Sequence, residues 1–332
     1  AYEISLGLVG SEMCIRDRNI FIKVPNYMIH KLFNYEITEP EDNTFVDICA
    51  DITHKCNMTC KNCYIPSREP PDMDLDRFKD FMDRLGGRAF VRIIGAEPTM
   101  SPNCANFIRA VYEHGRTDGR KHSCTLVTNG LRLSHAKYLN TLIEAGLRSV
   151  TLSLNGVDND DWYEQIDEMR CAKKKLKALR NIVDRKMNLN TGTIIIPEIN
   201  YEAPARLKEL IEKEKINNVM MRIKNVGQLG RYQKDKDGNI KMEGLVKLCA
   251  DQFNVSEDYI WSFHGVPYYN KFSEKNTILF PLKEGNKLLN RGRWVKITNW
   301  DTDNEGGIPD PGSKRRGRIT QDFKLAPFYE HT

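Results

Sequence analysis

Cys56, Cys60 and Cys63 stand at C-x₃-C-x₂-C spacing within Asp51-Ile-Thr-His-Lys-Cys-Asn-Met-Thr-Cys-Lys-Asn-Cys-Tyr64, directly after the apolar run from Phe45 to Ile52. Thiolates spaced in this way on one loop can converge on a single soft metal centre. A [4Fe–4S] cube bound by three cysteines keeps one iron open to a small molecule, whereas an electron-carrying cube is normally held by Cys₄. Structural zinc, with His54 as a fourth ligand, is the competing chemistry. It leaves Gly95-Ala96-Glu97-Pro98, a second compact motif at the end of the apolar run Phe90–Ile94, without a role. A disulfide framework fits poorly, because the cysteines number nine in 332 residues, a sparse and odd set.

The two motifs together resemble the radical S-adenosylmethionine (radical SAM) superfamily. Gly95-Ala96-Glu97-Pro98 is similar to its G-G-E-P loop, with Ala96 in place of the second glycine. The resemblance implies Cys56, Cys60 and Cys63 as ligands of one [4Fe–4S] cluster whose open iron chelates S-adenosylmethionine. It implies Glu97 and the backbone of Gly95 and Ala96 as contacts to the SAM amino group, where small residues would let the backbone approach a ligand. The family often carries an aromatic residue just before the third cysteine, against adenine. Here Asn62 holds that place and Tyr64 follows the cysteine, so either Asn62 makes a polar contact or Tyr64 supplies the packing. Asn129 (after Thr128), Ser153 and Asn155 fall where the family places polar groups near the SAM ribose and carboxylate. Asn-Gly pairs are also ordinary turn formers. No catalytic acid–base dyad stands out among the seven histidines. Cys104, Cys124, Cys171 and Cys249 are scattered, so a single cluster is expected, fed by an external donor such as flavodoxin or ferredoxin. A lone cysteine is usually a small buried hydrophobe.

The elements that must position these residues alternate between short apolar runs and amphipathic ones. Strands are expected at Val46–Thr53, Phe90–Ile94, Ser123–Thr128, Ser149–Leu154, Thr191–Ile196 and Asn218–Ile223. Helices fall between them: one over Asp74–Leu85 capped by Asp72 or Asp74, one opened by Ser101-Pro102, then Ser134–Ala145, a long polar helix or pair over Asp161–Arg185, and Ala203–Lys213. Short β-α connections predict a parallel sheet with right-handed crossovers. The resemblance makes it an α/β fold of the open partial (β/α)₆ barrel type, with parallel strands and a C-terminal α+β cap. Active-site groups of such folds sit at the C-terminal ends of strands, where all the motif residues fall. Arg222, near the end of the sixth strand, either reaches inward or is an edge charge.

Residues 45–226 are thus expected to form the catalytic domain, 19–44 a lead-in and 227–332 a substrate-covering cap with a helix over Met242–Phe253 and strands at Thr277–Leu282 and Trp294–Asn299. Ala1–Arg18 lacks helical or strand period and resembles a translated sequencing-adapter artefact; it is set aside, Cys14 included. Hydrophobic content of 40% and charged content of 29% are those of a globular protein, and a net charge of +5 does not by itself imply nucleic acid. No run approaches the ~20 apolar residues of a membrane span, so a cytoplasmic enzyme with no membrane partner is expected. The loop Asp301–Arg318, with Lys314, Arg315, Arg316 and Arg318, is either a solvated basic loop or a lid whose charge recruits an anionic group on the substrate. The substrate itself is open between a peptide, a nucleotide and another small molecule, anionic or peptidic. Two other readings compete: an activase that installs a glycyl radical on a partner protein, and a non-catalytic iron–sulfur or zinc module.

Overall fold

The computed structural model describes residues 37–63, 65, 71–114, 122–226, 240–265, 276–282, 292–299 and 316–327, with the backbone of short strands at 6–9, 12–17, 20–24, 283–284 and 287–288. The described residues divide between two compact units. The first comprises Ala1–Asn57, Cys63–Cys124 and Asn304–Thr332; the second comprises Met58–Asn62 and Thr125–Asp303. The fold is mixed α/β, mostly parallel, and its sheet does not close.

In the first unit, β1 (Asp47–Asp51) pairs in parallel with β2 (Phe90–Ile94), Asp47 opposite Phe90 and Asp51 opposite Ile94. Side chains alternate across the pleat. Ile48 and Ala50, with Val91 and Ile93, are fully buried. So are Phe78, Phe81 and Met82 of helix α1 (Leu75–Arg84) and Phe107 and Ile108 of α2 (Cys104–Glu113). Phe78 meets Phe107 edge to face at 5.1 Å between ring centroids. Asp74 caps α1, accepting from the amides of Asp76 and Arg77 at 2.9 Å each. Asp72, the other expected cap, is bonded to Thr53 instead. The expected helix start at Ser101-Pro102 is corrected to Cys104, because Pro98–Met100 first makes a turn of 3₁₀ helix.

The opposite face of β1 carries charge, and it corrects the basic lid. Residues 300–315, including Pro309, Pro311, Gly312, Lys314 and Arg315, lie outside the described residues. The end of that loop is no loop. Arg316–Ile319 forms a strand (β9 below) parallel to β1, backed by the antiparallel Leu325–Pro327 (β10 below). Arg318 bonds Asp51 at 2.7 Å through Nε and Nη2. Arg92 grips Asp47 through Nε and Nη2 at 2.7 and 2.6 Å, and Arg316 lies 3.5 Å from the same carboxylate. The charge run thus hid a sheet strand whose arginines are matched by aspartates of β1.

The second unit has β3 (Ser123–Thr128, from Thr125 onward in this unit), β4 (Ser149–Ser153), β5 (Asn188–Ile195), β6 (Val219–Asn225), β7 (Thr277–Pro281) and β8 (Arg293–Thr298). Their spatial order is β3-β4-β5-β6-β8-β7, parallel except for the outer β7. The C-terminal residues expected as a cap therefore also extend the sheet, as β7 and β8 here and as β9 and β10 in the first unit. Burial alternates along β6, with Val219, Met221, Ile223 and Asn225 inside and Met220, Arg222 and Lys224 half-buried on the other face. Helices α3 (Ala136–Glu144), α4 (Asp160–Asp167), α5 (Ala172–Asp184), α6 (Pro197–Asn200), α7 (Ala203–Lys213), α8 (Met242–Phe253) and α9 (Glu257–Trp261) complete this unit. Pro197, expected only to end a strand, opens α6, since its missing amide has no bond to lose at a first helical position. The leader, expected to lack period, contains strands Leu6–Val9 and Glu12–Asp17, which with Ile20–Val24 of the lead-in form a small antiparallel sheet. Runs of four to six residues are too short for periodicity to identify reliably.

Asp51 is 8% exposed at its side chain, so its guanidinium partner is a condition of burying it. Arg318→Met should lower unfolding stability by about 3 kcal/mol, by the rule for breaking a buried pair. The measurement is the urea midpoint, and Arg318→Met/Asp51→Asn should recover most of the loss.

Candidate metal and cofactor residues

In the first unit the two motif loops leave adjacent parallel strands at the same end and are sewn together by main-chain hydrogen bonds. The Ala96 amide donates to the Thr53 carbonyl at 2.9 Å, and the Glu97 amide to the Lys55 carbonyl at 3.0 Å. Thr53 is fully buried; its hydroxyl donates to Asp72 at 2.6 Å and accepts from the Lys55 amide at 3.1 Å. Lys55 adds a salt bridge to Asp72 at 3.2 Å. Cys56 follows immediately. Thr53 and Asp72 support the cysteine loop from outside both motifs, and only the polar Thr53 directly after an apolar run could signal them in the sequence.

Gly95 has φ +151°, and a Cβ there would stand 2.3 Å from the Thr53 carbonyl oxygen. The close approach that demands glycine is therefore to the neighbouring loop, where the sequence reading placed a ligand. Ala96 is not among the positive-φ residues, which is why a side chain is tolerated at the second position of this motif. Glu97 is fully buried and caps the 3₁₀ turn Pro98–Met100, with Oε1 accepting from the Thr99 amide at 3.1 Å and from the Thr99 hydroxyl.

The thiols fall into two groups. Cys56, Cys60 and Cys63 are in no disulfide and are half-buried, Cys60 belonging to the second unit. Cys49, Cys104, Cys124, Cys171 and Cys249 are likewise in no disulfide and are buried. Burial pushes the Cys49 thiol up to about 12, and Cys124 and Cys171 up to about 11. Among the described residues no three His, Cys, Asp or Glu side chains are gathered into a ready metal cage. What fits an iron–sulfur cluster is the donor set, three thiols with partial access on one loop.

Of the other expected contacts, Tyr64 lies outside the described residues. Asn62 is half-buried in the turn after Cys60. Asn129 is half-buried, with its side-chain oxygen accepting from the Leu131 amide at 3.0 Å, while the Thr128 hydroxyl accepts from the Gly130 amide at 3.0 Å. These are local turn bonds of the ordinary kind. Gly130 has φ +82°, and a Cβ would collide with Leu152 at 2.2 Å. Ser153 is half-buried at the end of β4. Asn155, 3% exposed, is occupied at both ends: Nδ2 donates to Asp167 at 2.9 Å and Oδ1 accepts from the Ile194 amide at 3.1 Å. Arg222 is half-buried on the face of β6 away from the apolar core.

The sequence signature described as the Radical SAM superfamily matches residues 51–211, spanning both motifs. Residues 51–211 carry the domain of that superfamily. Its enzymes use a [4Fe–4S] cluster and S-adenosylmethionine. Among curated relatives, GTP 3',8-cyclase of Paracoccus denitrificans (strain Pd 1222) is 24% identical over 192 residues, covering 56% of this chain and 54% of that protein. PqqA peptide cyclase of Methylorubrum populi (strain ATCC BAA-705 / NCIMB 13946 / BJ001) is 26% identical over 165 residues, covering 48% and 41%. The chain thus spans about half the length of these relatives. Among solved structures, Streptococcus suis SuiB bound to S-adenosylmethionine superposes with a TM-score of 0.55 at 13% identity, over 91% of this chain and 63% of that one. That likeness is one of fold.

The two thiol groups should separate by alkylation. In metal-free protein at pH 8.5, iodoacetamide should label Cys56, Cys60 and Cys63 first. Cys49, Cys124 and Cys171 stay protonated there, below their raised pKa values of about 12, about 11 and about 11. Only the thiolate attacks. Peptide mass spectrometry after timed quenching reads the order, and early labelling of Cys49 would contradict it.

Proposed function

We propose that the protein uses one [4Fe–4S] cluster held by Cys56, Cys60 and Cys63 to cleave S-adenosylmethionine reductively and abstract hydrogen from an organic substrate. The observation that carries this reading is the pair of sewn loops, one bearing the cysteines and the other a fully buried glutamate. When bound, the reduced cluster supplies the electron that breaks the S–C5′ bond and yields a 5′-deoxyadenosyl radical, chemistry that belongs to the cofactor.

The chain's own residues bind and orient. Glu97 offers a carboxylate beside the cysteine loop, suited to an ammonium group such as the SAM amino nitrogen. Its orientation is set by the Thr99 bonds, and the loop's position by Thr53 and Lys55. Asn62 and Asn129 are candidates for adenine and ribose contacts. Asn155, committed at both ends, is better suited to holding β4 and β5 in place. The substrate is of the nucleotide or peptide class, since the relatives named above include one enzyme of each. The electron comes from an external donor of the flavodoxin or ferredoxin kind.

Anaerobic reconstitution with iron and sulfide, followed by SAM and dithionite, should give 5′-deoxyadenosine detectable by chromatography. Cys56→Ala, Cys60→Ala or Cys63→Ala should each abolish it together with the cluster's visible absorbance. A full cluster in any of the three variants would remove that cysteine from the ligand set. Glu97→Gln should keep the cluster and weaken SAM binding by about 1.5–3 kcal/mol, the usual worth of a hydrogen bond to a charged group. Titrating SAM against the reduced cluster's EPR spectrum measures it, and unchanged affinity would exclude Glu97 as a contact.

A further inference from the structure

Lys175 is fully buried in the second unit, a costly place for an ammonium group. Its Nζ donates to the Ser153 carbonyl at 2.9 Å, lies 3.6 Å from Asp167 Oδ2, and sits 4.9 Å from the ring centroid of Tyr163. Asp167 is 1% exposed. Its Oδ1 accepts from Asn155 at 2.9 Å, and its Oδ2 has no hydrogen-bond partner among the described residues. The carboxylate stands at the C-terminal end of α4, where the helix dipole disfavours negative charge. Nothing in local preference explains a charge at either position. Each is tolerable only because the other is there.

The preceding residue shows what the pair holds. Ile166 is in the last turn of α4, whose carbonyls lack intrahelical donors. Its carbonyl accepts from the amide of Lys61, the residue after Cys60, at 3.0 Å. The helix stops there because Glu168 turns left-handed, with φ 54°. A chain of short contacts therefore runs from the Met58–Asn62 segment through Ile166 and Asp167 to Lys175 and on to the end of β4.

We propose that Lys175 is a positioning residue for the cysteine loop. By binding Asp167 and the Ser153 carbonyl at once, it fixes the last turn of α4 against β4 and so fixes the Cys60 segment through the Lys61 amide. The inference rests on the reading of Cys60 as a cluster ligand. A partner-less hydrophobe at 175 would fill the space and leave α4 free to shift by the fraction of an ångström that misplaces a ligand.

The test uses the full chain, metal-free and anaerobically reconstituted, as wild type and as Lys175→Met/Asp167→Asn, which removes both charges and keeps an acceptor for Asn155. The variant should melt within a few degrees of wild type and bind its iron. Its Lys61 amide should exchange about tenfold faster, reporting local opening. Its apparent Kd for SAM, read by EPR, should rise about tenfold, equivalent to ~1.4 kcal/mol. A folded variant with unchanged Lys61 exchange and unchanged SAM affinity overturns the proposal, as does a wild-type Lys61 amide no more protected than in an unstructured peptide. Should the double variant fail to fold, Asp167→Asn alone is judged by the same two criteria. Absence of iron and of any SAM response in wild type would defeat the functional reading, while exchange at Lys61 in metal-free protein would still decide the tether.

Discussion

Two main-chain hydrogen bonds, from Ala96 to Thr53 and from Glu97 to Lys55, constrain everything the first unit can do. They exist because β1 and β2 are parallel neighbours whose C-terminal ends emerge side by side. A side chain at position 95 would occupy the space of the Thr53 carbonyl, so the glycine is a condition of the seam. With that seam in place, the Glu97 carboxylate and the residue before Cys56 are locked to each other before any ligand arrives. Preorganisation of this kind lowers the ordering that binding must otherwise accomplish.

Charge inside the fold follows one rule in both units. Where a carboxylate is placed on a half-buried sheet face, arginines from neighbouring strands meet it with planar two-pronged contacts, as at Asp47 and Asp51. Where a carboxylate is fully buried, as at Asp167, a lysine and an asparagine amide divide its oxygens between them. The first arrangement adds a strand to the sheet, because Arg316 and Arg318 bring β9 alongside β1. The second adds no strand and reaches the end of β4 through a single carbonyl. Strand pairing can recruit charge that would otherwise read as solvated.

Most of the regular structure was legible from the sequence because it depends on local pattern. Phe90–Ile94, Ser123–Thr128, Ala203–Lys213 and Met242–Phe253 match the expected bounds to the residue. Each joins apolar periodicity to flanking turn formers. What escaped was decided at a distance. Arg316–Ile319 reads as a basic loop because nothing nearby reveals that Asp47 and Asp51, some 270 positions earlier, supply the countercharge. The position of Asn155 at a strand end is visible in the sequence, whereas its two partners come from α4 and β5. Asp72 and Asp74 compete for one helix cap in sequence; only the fold shows that Asp72 is claimed by Thr53.

The cysteines show how far composition alone can carry such an argument. None of the eight described cysteines is in a disulfide, so disulfide pairing does not distinguish them. Burial does. The five interior thiols are held protonated by their surroundings or simply enclosed, and an enclosed neutral thiol is a poor ligand and a poor nucleophile. Cys56, Cys60 and Cys63 keep partial access on a connection that leaves the sheet where β1 ends; among the described residues the next helix begins at Leu75. Within the first unit Glu97 holds Lys55, next to Cys56; within the second, Ile166 holds Lys61, next to Cys60. Each anchor leaves its neighbouring thiol accessible while limiting the conformations of the backbone beside it.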